Sequence, residues 1–167
     1  MWETEIQSFG DYLKIERGLS KHSHEAYLRD IQKLATYLAV SPIAIDQVEE
    51  SHILAFLKDL HALGIEASTQ SRTLSGIRAF FQFLVFDGTL KSDPTVHVKN
   101  PQMGRKLPDT LSFDEITAIL DEADLSSPEG VRNRAMLEFL YGAGLRVSEL
   151  IGLKREDIYE DQGFIKV

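Results

Sequence analysis

Between Lys91 and Asp109 the chain loses all apolar periodicity, and Pro94, Pro101 and Pro108 interrupt the backbone. Proline lacks an N–H and fixes φ, so no continuous helix or central strand runs through such a stretch. Whatever packs before it and whatever packs after it must do so separately. A chain of 167 residues divided in this way holds two small cores. The expected organisation is a first domain over 1–92, a linker over 93–109 and a second domain over 110–167.

The first part reads as four amphipathic helices. Trp2, Ile6, Phe9 and Leu13 recur at helical spacing, with Gly18 as a stop. Tyr27, Ile31, Leu34 and Leu38 mark a second helix that begins at Ser20 and ends before Pro42. Glu49 and Glu50 introduce a third, with Ile53, Leu54, Leu57 and Leu60 as its stripe and Gly64 behind it. A fourth starts near Ser68, carries Leu74, Ile77, Phe81 and Leu84, and ends at Gly88. Because Phe80, Phe81, Phe83 and Phe86 follow the helical repeat, they are expected to be core rather than a platform for stacked bases. Beyond the linker, Ser112 and Glu115 have capping-box spacing and open a helix to about Ala123. Another runs from about Glu129 to Tyr141, and the terminal run GFIKV reads as a strand. The second domain is expected to expose apolar surface.

The run GAGLRVSEL, from Gly142 to Leu150, sets one arginine on a glycine turn directly before a short helix. Gly142 and Gly144 permit backbone angles closed to other residues, and a helix start offers N–H groups to an anion. Arg146 in that setting suits a phosphate. Glu149, three residues on, can hold the guanidinium from behind. On physical grounds alone a helix-ending glycine followed by a surface arginine is the plainer reading.

Composition narrows the class. Zero cysteines exclude a disulfide framework and thiolate metal sites. His22 and His24 form the only close histidine pair and lack the partners a metal needs, and no phosphate-cradling or dinucleotide fingerprint occurs. No apolar run approaches a membrane span and no secretion signal is evident, so no membrane is expected and the cytoplasm is the default. A net charge of −8 opposes indiscriminate nucleic-acid binding. The charge is uneven, however: residues 69–106 hold six basic and two acidic side chains, a local +4 against −12 elsewhere. That fits a protein gripping nucleic acid on one face, or equally a solvated helix joined to a charged linker.

The segment RNRAMLEFLYGAGLRVSELIGLKREDI resembles the region of the first catalytic arginine in tyrosine site-specific recombinases, the Xer and phage integrase family. GLSKHSHEAYLRDIQKLATYL and STQSRTLSGIRAFFQFLVFDGTLKSDP resemble that family's N-terminal signature and the last main helix of its core-binding domain. The resemblance implies a mainly α fold: a four-helix SAM-like core-binding domain, a linker, and a truncated, α-rich start of the catalytic domain with a terminal β-strand. It implies Arg146 as catalytic and Glu149 as its support, with no cofactor and no metal. It implies double-stranded DNA as partner and a homo- or hetero-tetramer on DNA for the full-length enzyme. The likeness spans the first half of such an enzyme. None of the five histidines is followed three places later by arginine, and Tyr141 and Tyr159 lie too near the arginine motif to be the nucleophile. The fragment alone is therefore expected to be inactive.

By the same resemblance the second and fourth helices meet the major groove. The matching DNA-binding positions are Ser20, Lys21 and Ser23 on the second helix and Thr69, Gln70, Arg72, Ser75 and Arg78 on the fourth, with Arg72 foremost. This chain has His22-Ser23 where the commoner pattern has Asn-Thr. Arg105 and Lys106 resemble the basic linker that enters the catalytic domain. Each position has a second reading: Ser20 and Ser23 as helix caps, Arg72 and Arg78 as solvated or paired with Glu66 or another carboxylate, Arg105 and Lys106 as plain linker charge. A non-catalytic DNA-binding module and a helical protein-interaction domain remain as alternatives.

Overall fold

The computed structural model describes residues 2–102, 104 and 109–167. Two compact units result, and the division between them falls late within the proline-rich stretch.

The first unit consists of α1 (Glu3–Ile15), α2 (Lys21–Leu38), α3 (Glu50–Ala62) and α4 (Ala67–Phe86). α2 and α3 start where a local group takes up a free N–H donor: the Ser20 hydroxyl accepts from the Ser23 N–H at 3.3 Å, and the Glu49 N–H donates to His52 Nδ1 at 3.0 Å. Gly18, Gly64 and Gly88, read as stops, all lie at positive φ just past their helices. α4 is the central element, packed against the other three. Its Leu74, Ile77, Phe80, Phe81 and Leu84 are buried together with Phe9, Ile31, Leu34 and Ile53. The Phe9 and Phe80 rings meet edge to face at 5.3 Å, and Phe80 meets Phe81 likewise at 5.5 Å. Each such buried side chain stabilises the fold by about 1.5–3 kcal/mol relative to exposure.

Three details depart from the periodicity. On α3 the buried aromatic is Phe56, while Leu54 is exposed; Phe86, expected in the core, is also exposed. The segment expected as linker from residue 93 is docked over its first part. Thr95 and Val98 are buried, and the Asp93 carboxylate accepts from both the N–H and the hydroxyl of Thr95. Two inward side chains are too few to make a helical or alternating signature, so this docking is invisible to a periodicity reading.

The second unit holds α5 (Phe113–Asp121), α6 (Pro128–Gly142), α7 (Val147–Gly152), β1 (Ile158–Tyr159) and β2 (Phe164–Ile165). The expected capping box is present: the Ser112 N–H donates to Glu115 Oε2 at 2.7 Å and the Glu115 N–H to Ser112 Oγ at 3.3 Å. Ser127 caps α6 with Pro128 in the first turn. Arg134 on α6 reaches the Leu120 carbonyl and the Asp121 carboxylate at the end of α5, and also Glu138 one turn along. The terminal strand is present as expected, with a partner that the sequence reading did not place. It pairs antiparallel with Ile158–Tyr159 across a turn closed by Gly163, and Tyr159 stacks on Phe164 at 4.5 Å. A two-residue strand is too short for an alternating pattern to reveal. No described residue of 109–167 is fully buried, and Phe113, Val131, Val147 and Ile151 are among the exposed apolar side chains. No helix among the described residues is long and apolar enough to cross a membrane.

Candidate nucleic-acid interface

Arg146 stands immediately before α7 and 81% of its side chain is exposed. Of the two glycines upstream, Gly144 takes φ +65°, the left-handed conformation the turn requires, whereas Gly142 is simply the last residue of α6. Glu149 holds the arginine twice: Oε2 accepts the Arg146 backbone N–H at 2.8 Å, and Oε1 accepts Nη1 at 2.7 Å. These two hydrogen bonds, backbone first, and the guanidinium charge keep the Glu149 carboxyl below its ordinary pKa. The result is a solvent-facing guanidinium with one edge occupied and the rest open to an anion.

The candidate residues of α2 and α4 separate into distinct groups. Ser23, Arg72 and Ser75 line one cavity of about 210 Å³ between the two helices, together with Tyr27 and Gly76. Ser20 and Lys21 are exposed at the start of α2; Ser20 both caps the helix and bonds the Ser23 hydroxyl at 3.1 Å. Thr69 is half-buried. Gln70 does not share the polar face: it is buried and donates to the Ile65 carbonyl at 2.6 Å, because its position on α4 turns it toward the α3–α4 connection. Arg78 is engaged by its own unit, donating to Asn100 Oδ1 at 2.6 Å and to the Val98 carbonyl. Its partner is therefore the docked segment rather than Glu66. Arg105 and Lys106 lie outside the described residues.

Arg72 has a partner that the helical stripes did not reveal. Nη1 and Nη2 reach the two carboxylate oxygens of Asp30 at 2.7 and 3.0 Å, a bidentate pair from α4 to α2. Asp30 is 1% exposed, while about half of the Arg72 side chain faces solvent. Thr73 Oγ1 lies 3.3 Å and Lys33 Nζ 3.6 Å from Asp30 Oδ1. The signal was present in the sequence: Asp30 falls between Tyr27 and Leu34 on the apolar stripe, and an acid there demands a cationic partner.

Two sequence comparisons decide the family. Residues 6–88 match the N-terminal SAM-like domain of phage integrases, and residues 109–167 match the phage integrase family proper. The chain belongs to the phage integrase family. It is 39% identical over 166 residues to the tyrosine recombinase XerD of Staphylococcus saprophyticus, covering 99% of this chain and 56% of that protein. To XerD of Oceanobacillus iheyensis it is 40% identical over 168 residues, again covering 99% and 56%. The chain thus spans slightly more than half the length of these relatives. The fold agrees with that of a λ integrase fragment, residues 75–356, solved as a dimer bound to a core site, with TM-score 0.75 at 20% identity, covering 95% of this chain and 55% of that one. The integrase-family fold accounts for both units: a SAM-like four-helix domain, then the α-rich beginning of a catalytic domain. Among the described residues no group of three or more His, Cys, Asp or Glu side chains is placed to hold a metal ion.

Proposed function

We propose that this chain supplies duplex-DNA binding and the first catalytic arginine of a site-specific recombinase. In that reaction a tyrosine outside this sequence attacks a DNA phosphate, the 5′-hydroxyl leaves, and a 3′-phosphotyrosyl link conserves the bond for rejoining. Arg146 would bind non-bridging oxygens of the scissile phosphate, and a fixed cation aimed at growing negative charge lowers such a barrier by several kcal/mol. Glu149 positions the guanidinium and does no proton transfer. Ser20, Lys21, Ser23, Thr69, Arg72 and Ser75 would contact the duplex from α2 and α4, with Arg105 and Lys106 adding phosphate contacts. The full-length protein would work as a tetramer on paired DNA sites.

The observation that carries this reading is the exposed Arg146, doubly held by Glu149, in a chain of the phage integrase family. The chemistry is tested by Arg146→Ala in the full-length protein, scoring covalent protein–DNA adducts on a nicked duplex. Loss of about 10²–10³-fold in adduct formation with an unchanged fold is expected, and wild-type rates would remove Arg146 from the mechanism. The chain itself should bind duplex without cutting it, in the range of about 10⁻⁴ to 10⁻⁶ M for sequence-independent contacts, with log affinity falling by about 0.9 per phosphate neutralised for each unit of log salt. Salt-independent binding, or none, would favour a protein-interaction domain.

A further inference from the structure

The pairing of Arg72 with Asp30 is an unusual use of a DNA-facing arginine. An arginine that serves only as a counter-charge to phosphate gains nothing from a carboxylate partner, which cancels its charge locally and weakens its attraction for the backbone. Asp30 also imposes a cost as a nearly fully buried acid in a helix interface. What the pair provides is geometry. Both η nitrogens are tied at hydrogen-bonding distance to a carboxylate that is itself held by the packing of α2 on α4. Of the five N–H donors of a guanidinium, two are thereby used and three remain, on a plane whose tilt is set by Asp30. Gly76, one turn beyond Arg72, leaves the space the carboxylate occupies: a Cβ there would stand 3.2 Å from Asp30 Oδ2. Ser23 and Ser75 line the same cavity and give hydroxyls beside the fixed guanidinium.

Resting on the DNA-binding reading above, we propose that Asp30 is a positioning residue that makes Arg72 a reader of base sequence or duplex shape rather than a free phosphate counter-ion. Discrimination between duplexes, not overall affinity, is the quantity Asp30 controls. The two roles differ in what Asp30→Asn does to discrimination. That change removes a negative charge from the DNA-facing side at nearly constant shape. If Arg72 only neutralises phosphate, every duplex is bound as tightly as before or more so, and discrimination is unchanged. If Asp30 positions Arg72, the scrambled duplex is bound as tightly or more tightly while preference for the selected one is lost.

The test uses the 167-residue chain and two probes: a duplex selected by wild-type chain from a random-sequence pool, and a scrambled duplex of equal length and composition. Affinities are read by anisotropy at several salt concentrations for wild type, Asp30→Asn, Arg72→Lys and the double variant, with circular dichroism and thermal midpoints checking the fold. The expected result is a ratio of affinities that falls at least about fivefold in either single variant, from the range a well-placed arginine contributes at one base pair, and no further in the double. Affinity for the scrambled duplex holds or rises, and its salt slope is unchanged in Arg72→Lys. Should Asp30→Asn not fold, Arg72→Lys decides alone, because it retains the charge on a half-exposed side chain while breaking the bidentate geometry. A wild-type chain that binds duplex without preference, or a folded Asp30→Asn chain that keeps its preference, overturns the positioning role while leaving the DNA-binding reading standing. Failure of the wild-type chain to bind either duplex at low salt sinks the DNA-binding reading itself.

Discussion

Gly10 and Gly76 are both buried inside helices, yet alanine should move stability in opposite directions at the two positions. Glycine in a helix interior is about 0.5–1 kcal/mol worse than alanine, so each substitution starts with that gain. At Gly10 the added methyl would meet His24 Nε2 at 3.4 Å and the Leu28 methyls at 3.6 Å, ordinary contact distances, and the gain survives. At Gly76 it would stand 3.1 Å from the Cβ and 3.2 Å from Oδ2 of Asp30. Asp30 cannot retreat readily, since its oxygens are held by Arg72 and Thr73 and its backbone belongs to the packed α2. Forcing a methyl into such a contact costs about 1–3 kcal/mol, leaving Gly76→Ala less stable by about 1 kcal/mol at the middle of these ranges and by up to about 2.5 kcal/mol. For a unit of about 100 residues each kcal/mol moves the thermal midpoint by about 4–8 °C. Thermal melts followed by far-ultraviolet circular dichroism should therefore show Gly10→Ala above wild type and Gly76→Ala well below it. A Gly76→Ala midpoint at or above wild type would refute the tight α2–α4 contact, and with it the fixed position of Asp30.

In the second unit, a Cβ at Gly130 would lie 1.9 Å from the Asp124 carbonyl oxygen, so Gly130→Ala should break the 124–127 turn and lower helicity, measured by circular dichroism. Lowered pKa values of Glu149 and Glu115 mean that their hydrogen bonds stabilise the folded state above the unfolded carboxyl range near 4.3 and that this contribution is lost as pH falls through the folded values; carboxyl NMR titration should place both midpoints below that range. Arg78 holds the Val98 carbonyl and Asn100, so trypsin should spare the Lys99–Asn100 bond in the native chain and cut it faster in Arg78→Ala, as mass spectrometry of timed digests would report.

The elements that were legible from sequence are those whose signal is repeated or chemically specific. Four apolar stripes located four helices, and the Ser112-Glu115 spacing located the start of α5. Arg146 and Glu149 were readable as a pair because three residues on one helical turn bring their side chains together. Single long-range contacts were not readable. Asp30 and Arg72 lie 42 residues apart, and Arg78 meets the backbone of a segment that looks like open linker. Gln70 was placed on the DNA side by resemblance, but a glutamine at a helix start serves equally well as an inward partner for a stray carbonyl. Phe56 and Leu54 exchanged roles because both lie at the edge of the α3 stripe, where periodicity alone does not fix which way the helix is rotated.

Docking of Thr95 and Val98 against the four helices moves the place where one module can be exchanged for another. A graft that joined a foreign second unit directly after Gly88 would discard the side chains that seal one side of the first core and leave the Arg78 guanidinium without its carbonyl partner. A seam beyond Asn100 keeps both. Any evolutionary shuffling of this first unit among phage integrase family members with different second units would therefore have to carry the strap along with the helices, so that the heritable piece is longer than its secondary structure suggests.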